Sequence, residues 1–296
     1  MKKYLSFVLV LTLTFTLLFA VQYPLTLVDD AGHAVTFENA PQRVISAAPS
    51  ITDFLLELGY SKNIVGVTKY DSYTKATNIG LMYPLNMEKI LYLKPDVVFM
   101  FGGFQLSQYQ RLSKIGVKAF VLNANNLDGV YRDLMDVATI MGDPQKGQKL
   151  VSSLEEKVLK ISKAAYNIPI DKRPKVFYGT PGKQIWTAGM GSFLNEVISL
   201  AGGVNVTGNY AGPNGWLPVS PEFVVAQNPD VILVPYFAPN GQKAAVKAFE
   251  SYPAFKNLKA VKEGHVYAID GNVASQPNTK LVGLLEELYN IFSKLW

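Results

Sequence analysis

The sequence has no cysteine and only two histidines in 296 residues. Without cysteine, the chain has no disulfide framework, no thiol nucleophile and no thiolate metal site. His33 and His265 neighbour neither each other nor a carboxylate cluster at ligand spacing. This pattern disfavours binding of a bare metal ion and indicates structural or solvent-facing histidines.

A large excess of one charge and long hydrophobic runs are also lacking. Lys and Arg number 28 against 23 Asp and Glu, and no basic stripe occurs, so the charge pattern gives no indication of a nucleic-acid partner. Beyond residue 20, no stretch of about 20 apolar residues offers a membrane span. The chain does have 49% hydrophobic residues, which is enough for one large or two modest cores.

The first 20 residues differ in character from the rest. Lys2 and Lys3 precede a largely apolar stretch, Leu5–Phe19, which closes at Ala20. This order predicts a secretory signal peptide over residues 1–20 and export from the cytoplasm, with a retained membrane anchor as the alternative. No cysteine follows the stretch, so a lipobox and its bacterial lipid anchor are excluded at that point.

One short pattern occurs twice, 134 positions apart: Asn86–Asp96 reads NMEKILYLKPD and Ser220–Asp230 reads SPEFVVAQNPD. Each copy has a capping residue, a glutamate two places later, an apolar stretch and Pro-Asp before a β-branched run. The pattern predicts a short helix that leads into a buried strand. Glu88 or Glu222 would lie in the first turn of this helix, where the helix dipole favours an anion. The repeat indicates two halves of similar build, each presenting one carboxylate at an equivalent place.

Strand and helix patterns alternate on both sides of one long helical stretch, which predicts parallel sheets covered by helices. The class expected is α/β, with two doubly wound lobes of mainly parallel sheet over 21–143 and 168–296, bridged by one α-helix over 144–167. That helix would be about 34 Å long. The predicted strands are Leu25–Val28 and Ala34–Phe37 as a hairpin, then Arg43–Ala47, Ile64–Val67, Val97–Phe101, Val117–Leu122, Lys175–Tyr178, Val231–Pro235 and Val266–Ile269. The predicted helices start at a Ser50–Asp53 capping box and at 86, 105, 127, 144, 192, 220 and 279.

Several segments, taken in order, carry a family resemblance: Arg43–Ser50, Leu58-Gly59, Ile64–Val67, Asn86–Glu88, Lys94–Val98, Glu222, Asn228–Asp230 and Lys262–Tyr267. Together they resemble the substrate-binding proteins of ABC importers for iron–siderophore complexes, haem and vitamin B12. The resemblance covers residues 25–296. It implies two α/β lobes joined by one long helix, a ligand cleft between them and little closure motion.

The resemblance also implies a partner. A monomer in the periplasm would deliver its ligand to a permease dimer with a cytoplasmic ATPase, and an exposed glutamate on each lobe would meet a basic pocket on each permease subunit. Glu88 and Glu222 occupy the matching positions. The repeat alone leads to the same pair, because a two-fold partner is best met by two equivalent charges. The alternative is that both glutamates only stabilise helix termini.

Ligands of such sheets gather at loops beyond the strand carboxyl ends. Those loops are rich in aromatic residues and glycine and hold few charges, which suits a bulky organic chelate or macrocycle. The candidate ligand-binding residues are Tyr70, Trp186, Trp216, Tyr236, Lys69 and Tyr178. The leading ligand is an iron–siderophore, with corrinoid and haem as alternatives, and no intrinsic cofactor is expected.

Catalysis is disfavoured. The chain has no G-x-S-x-G elbow, since Gly189–Ser192 does not match it, and it has no phosphate loop or G-x-G-x-x-G opening a helix. A second alternative is a membrane-anchored ligand sensor that uses the same lobes and keeps Leu5–Phe19.

Overall fold

The computed structural model describes residues 21–296. The predicted signal peptide, residues 1–20, lies outside this part of the chain. Within residues 21–296, no helix is both long enough and apolar enough to cross a membrane.

The strands are β1 Leu25–Val28, β2 Ala34–Phe37, β3 Val44–Ser46, β4 Ile64–Val67, β5 Thr77–Asn78, β6 Val97–Phe101, β7 Ala119–Leu122, β8 Lys175–Tyr178, β9 Ile185–Ala188, β10 Val204–Asn205, β11 Trp216–Val219, β12 Val231–Tyr236 and β13 Val266–Asp270. The α-helices are α1 Pro49–Glu57, α2 Met87–Leu93, α3 Tyr109–Lys114, α4 Leu127–Ile140, α5 Pro144–Tyr166, α6 Phe193–Leu200, α7 Pro221–Gln227, α8 Gln242–Glu250, α9 Lys259–Lys262, α10 Gly271–Ala274 and α11 Leu281–Phe292.

Each half of the chain builds one parallel sheet. The sheet of the first lobe has the strand order β5-β4-β3-β6-β7, and that of the second lobe has the order β10-β8-β12-β13. Every pairing within these two sheets is parallel. Their central strands are apolar and buried on both faces, as strands covered by helices must be. The predicted α/β class with mainly parallel sheets is confirmed, and so is the hairpin β1–β2.

The repeated pattern folds in the same way in both lobes. The side chain of Asn86 accepts a hydrogen bond from the Lys89 N–H at the start of α2, and Ser220 accepts one from the Phe223 N–H at the start of α7. Both helices end at a left-handed residue directly before the proline, Lys94 with φ 46° and Asn228 with φ 42°. The helix stop therefore consists of a left-handed C-cap together with the proline.

The aspartate of each Pro-Asp pair fixes the next strand to its neighbour. Asp96 Oδ2 accepts hydrogen bonds from the N–H groups of Gln42 and Arg43, both at 2.8 Å, at the start of β3. Asp230 Oδ2 accepts one from the Lys175 N–H at 2.8 Å, at the start of β8. The strand pairs β3–β6 and β8–β12 thus occupy equivalent places, and in both lobes a short helix leads into the second strand of the pair.

The long helix α5, predicted over 144–167, runs from Pro144 to Tyr166 and spans 23 residues, about 34 Å. It packs against α4 of the first lobe and against α6 and α11 of the second. Its buried residues Val151 and Leu154 belong to an apolar cluster that includes side chains of both lobes. That α5 is the single bridge between the lobes stays a prediction.

Polar contacts also join the lobes beside α1. Lys280 Nζ lies 2.7 Å from Asp53 Oδ1, and the Thr279 hydroxyl donates to Glu57 Oε1 at 2.6 Å. The residues that precede α11 thereby hold the first helix of the other lobe. We refer to these two pairs as the α1 latch.

One local expectation fails, and some elements were not predicted. The predicted capping box at Ser50 and Asp53 does not form: α1 begins at Pro49 after an Ala48 N-cap, and no side chain caps the helix. Ser50 is buried, and Asp53 belongs to the α1 latch. The antiparallel pair β9–β11 and the helices α8–α10 were not predicted from the sequence.

Candidate functional site

A cavity of about 590 Å³ lies between the two lobes. The first lobe contributes α1 and the loop after β4, and the second contributes the loops after β12 and β13 and the residues before α11. The cavity therefore sits beyond the carboxyl ends of strands from both sheets, where open α/β sheets bind ligands. Its lining residues are Pro49, Thr52, Asp53, Leu56, Tyr70, Asp71, Ser72, Phe237, Asp270, Asn272, Val273, Gln276, Asn278 and Lys280.

A tight turn after β4 presents Tyr70 to the cavity. Asp71 Oδ2 accepts hydrogen bonds from the Thr68 N–H at 3.0 Å and the Thr68 hydroxyl at 2.6 Å, and the Tyr70 N–H donates to the same hydroxyl oxygen at 3.3 Å. Burial raises the pKa of Asp71, and the hydrogen bonds from Thr68 oppose that rise. With its backbone fixed in this way, the Tyr70 side chain remains 55% exposed, which leaves its ring free for a ligand.

Phe237 presents the second exposed ring, from the opposite lobe. It follows β12 and is 59% exposed. Its ring lies on the backbone of Gly271, where an added Cβ would meet ring atoms at 2.6 Å. The glycine thus makes room for the ring. Asp270 caps α10 by accepting a hydrogen bond from the Asn272 N–H at 2.8 Å, which places Asn272 at the cavity wall.

The charges lining the cavity are mostly negative. Asp53, Asp71 and Asp270 face one lining cation, Lys280, whose ammonium is already paired with Asp53 in the α1 latch. Lys69 is adjacent, with its Nζ 5.1 Å from the centre of the Tyr70 ring in a cation–π contact. The cavity therefore offers little free positive charge to an anionic ligand.

The structure brings together only part of the predicted ligand-binding set. Tyr70 lines the cavity, Lys69 stands beside it, and Tyr236 is half-buried directly before Phe237. Trp186 is 55% exposed on β9, outside the cavity lining. Which of these residues touch a ligand stays a prediction.

Trp216 and Tyr178 pack against each other. Their ring centres lie 5.9 Å apart edge to face, and Trp216 also meets the Phe193 ring at 5.8 Å. Tyr178 is 4% exposed, and burial raises the pKa of its hydroxyl well above the ordinary value. Along a strand alternate residues share a face, so Tyr178 points with Val176 into the large core. Its ring supports Trp216 and leaves almost no surface for a ligand.

A second close approach between the lobes lies beyond β6. A Cβ added to Gly103, in the loop after β6, would lie 3.4 Å from the Asn214 amide nitrogen, in the loop before β11. The exposed Phe104 ring follows Gly103, and Trp216 follows Asn214, so aromatic side chains flank this approach as well.

Sequence reasoning missed the lining residues Asp270, Gln276, Asn278 and Lys280. The signal available for Asp270 was local: Asp-Gly-Asn after a β-branched strand is a typical capped turn. Asn278 and Lys280 gave no such signal, because they reach the cavity through contacts with Asp53 of the other lobe.

Glu88 and Glu222 are exposed at the second position of α2 and α7. Arg43, at the start of β3, donates to the Leu93 carbonyl at the C-terminus of α2, so that end lies at the amino edge of the sheet. The N-terminus of α2, with Glu88, therefore faces the carboxyl edge, as does the cavity. The matched βα arrangement places Glu222 equivalently. Within residues 21–296 neither carboxylate forms an ion pair, and a hydrogen bond with Ser220 lowers the pKa of Glu222.

The two lobes with parallel sheets face a shared cavity, and such clefts between lobes are common places for small-molecule binding. The sequence model of the periplasmic binding protein family matches residues 44–273, and the chain belongs to this family.

Relatives agree with this membership, and a solved structure shares the fold. The chain is 29% identical over 275 residues to the ABC transporter substrate-binding lipoprotein YvrC of Bacillus subtilis, covering 90% of this chain and 84% of the relative. It is 25% identical over 280 residues to a cobalamin-binding protein of Halobacterium salinarum, covering 92% and 75%. The structure of an ABC-type Fe3+-hydroxamate transport system from Saccharomonospora viridis shares the fold, with a TM-score of 0.73, 22% identity and coverage of 92% and 99%.

Proposed function

We propose that this chain is the exported substrate-binding protein of an ABC importer, which captures a metal chelate in the interlobe cavity and delivers it to a permease dimer with a cytoplasmic ATPase. Family membership supports the transport role. The observation that carries the ligand class is the cavity itself, with the Tyr70 and Phe237 rings exposed from opposite lobes. Two such faces suit a large, partly flat ligand. The function is binding and transfer, without a catalytic step.

The cavity's charge narrows the ligand to a neutral or cationic chelate. Haem carries two propionates, and catecholate siderophores bind iron as polyanions, so both need unpaired basic residues. Three lining aspartates and one already paired lysine do not meet that need. A ferric ion held by three hydroxamates has no net charge at its chelating groups. The leading ligand is therefore an iron–hydroxamate siderophore.

A corrinoid is the second candidate. The cobalamin-binding relative supports it directly. The amide groups on the rim of the corrinoid match the uncharged polar residues of the second lobe, Asn272 and Gln276, which line the cavity together with Phe237. A corrinoid also carries no carboxylates that would meet the lining aspartates. Haem remains behind both candidates.

Titration with four ligands tests this assignment. A ferric hydroxamate, cyanocobalamin, haem and a ferric catecholate are added to the purified chain while tryptophan fluorescence is followed. We expect one of the first two to bind with Kd well below 1 mM. The chelate assignment fails if none of the four binds below about 1 mM, where the binding free energy is only about −4 kcal/mol.

The same titration with Tyr70→Ala locates the site. The exposed part of this ring is about 100 Å², and covering half or more of it with ligand contributes about 1–2 kcal/mol, or 5- to 30-fold in Kd. Tyr166→Ala is the matched control, because Tyr166 is 81% exposed on α5, away from the cavity. Equal ligand affinity of the Tyr70→Ala and Tyr166→Ala variants would show that Tyr70 does not contact the ligand.

Delivery rests on Glu88 and Glu222, which we propose meet basic pockets on two permease subunits. Their exposure, their lack of ion pairs within residues 21–296 and their equivalent positions support this role.

A membrane-anchored ligand sensor uses the same lobes. Mass spectrometry of the native N-terminus separates it from a free carrier: a start near Val21 indicates a cleaved signal and a periplasmic carrier, and retained Leu5–Phe19 indicates an anchor.

A further inference from the structure

The repeat that relates Glu88 to Glu222 also relates two exposed aliphatic side chains. Leu91 and Val225 stand 134 positions apart, each three residues after the glutamate of its helix. Leu91 is 45% exposed and Val225 is 44% exposed. The preceding residues, Ile90 and Val224, are fully buried. Both short helices thus bury one face and leave a large aliphatic group in water on another.

Residues three apart on a helix are neighbours on its surface, about 5–6 Å apart at Cβ. Each helix therefore presents a carboxylate and an aliphatic side chain side by side, Glu88 with Leu91 and Glu222 with Val225. A single exposed leucine or valine is ordinary on a protein surface and needs no explanation. An exposed aliphatic side chain at the equivalent place in both lobes does need an explanation. Other positions of the two helices differ, because Lys89 and Tyr92 in α2 correspond to Phe223 and Ala226 in α7.

We propose that Leu91 and Val225 are the apolar contacts of the docking surface, one beside each glutamate. This inference rests on the proposed delivery to a permease. The partner fits this surface if it offers two equivalent sites, each with a basic side chain for the carboxylate and an apolar recess one helical turn away. When the partner covers Leu91 and Val225, apolar surface is removed from water. Water is also excluded from the adjacent ion pair between each glutamate and the partner's basic side chain, and this exclusion strengthens the ion pair.

The test compares two double variants of the full chain. Leu91→Ala with Val225→Ala removes the proposed apolar contacts and keeps good helix formers. Leu159→Ala with Ile170→Ala is the control, because these side chains are 52% and 70% exposed outside α2 and α7. Each variant, loaded with ligand, is titrated onto the permease–ATPase complex in lipid nanodiscs, and thermal unfolding is recorded to verify folding.

We expect the Leu91→Ala, Val225→Ala variant to bind the permease at least tenfold more weakly, with unchanged ligand affinity, and the control variant to bind like the wild type. Each single variant should lose a comparable part of the affinity, because the two lobes present equivalent surfaces. A conservative Leu91→Met, Val225→Ile variant should bind nearly as well as the wild type, because it keeps the apolar contact area. A loss of affinity caused only by altered helix stability would not follow this pattern.

Comparing the glutamate double variant with the alanine double variant separates the role of the apolar contacts from the docking role of the glutamates. If Glu88→Lys with Glu222→Lys abolishes docking and the alanine variant docks normally, the glutamates act alone and the apolar contacts are refuted. If neither double variant weakens docking, both the apolar contacts and the docking role of the glutamates are refuted. Equal weakening by the control variant would also overturn the inference, because the effect would not depend on α2 and α7.

Discussion

Asp133 is a buried carboxyl group whose protonation couples folding to pH. It lies on α4 and is 2% exposed. Its Oδ2 accepts a hydrogen bond from the Ala124 N–H at 3.1 Å, and its buried Oδ1 has no hydrogen-bond partner and lies 3.9 Å from Arg132 Nη2. Burial, with a smaller contribution from the nearby Asp30 carboxylate, raises the pKa of Asp133 from 3.8 to about 9. At neutral pH the folded protein therefore holds this group protonated.

The sign of the pH dependence follows from the two pKa values. Between pH 3.8 and about pH 9 the folded state binds one more proton at Asp133 than the unfolded state. The free energy of unfolding therefore falls as pH rises, by about 1.4 kcal/mol per pH unit from this group. Asp133→Asn keeps an acceptor for the Ala124 N–H and does not titrate. From pH 6 to pH 8 the variant should gain about 2–3 kcal/mol relative to the wild type.

Urea unfolding followed by tryptophan fluorescence at pH 6, 7 and 8 measures this difference. Asp128→Asn is the control, since Asp128 is exposed in the first turn of the same helix. We expect the Asp133→Asn and wild-type stabilities to diverge with pH, and the Asp128→Asn and wild-type stabilities to differ by a constant. Parallel curves for Asp133→Asn and the wild type would show that Asp133 is ionised in the folded protein at these pH values, contrary to this prediction.

Two further predictions address the site and the repeat. Gly271→Ala should displace the Phe237 ring and weaken ligand binding about tenfold in the fluorescence titration with little change in melting temperature, because the new methyl group would lie 2.6 Å from the ring; unchanged affinity would exclude Phe237 from the site. Asp96→Ala and Asp230→Ala should each lower the free energy of unfolding by about 1–3 kcal/mol in urea, because each leaves strand N–H groups without their acceptor. An effect at one position alone would contradict the equivalence of the lobes.

The sheets were largely predictable from local sequence. The strands at Ile64–Val67 and Val97–Phe101 have the predicted bounds, because β-branched and aromatic runs between Gly, Pro and polar residues carry a strong local signal. The pair β9–β11 gave no such signal, because Pro218 interrupts β11 and the pairing joins Ala188 to Trp216 across a long loop. The start of α1 was misplaced, because burial of Ser50 in the tertiary structure overrides its capping preference.

Residues of the candidate site were predictable from the sequence only where the local chain alone places them at the cavity. Tyr70 lies in the loop three residues after β4 and lines the cavity, and its contact with a ligand stays a prediction. Tyr178 also ends a strand, yet strand alternation turns it into the core, where it supports Trp216. Lys280 reaches the cavity through its ion pair with Asp53, 227 positions away along the chain, and no local pattern reports such a contact.

We propose that two equivalent carboxylates dock this protein onto a two-fold permease, and substrate uptake by proteoliposomes that carry the permease–ATPase complex measures the effect of that docking. The double variant Glu88→Lys, Glu222→Lys is compared with Glu156→Lys, Glu286→Lys, which makes the same charge change at exposed positions of α5 and α11. We predict more than tenfold slower uptake for the first variant, normal uptake for the second and unchanged ligand affinity for both. Normal uptake with both glutamates reversed would contradict the account.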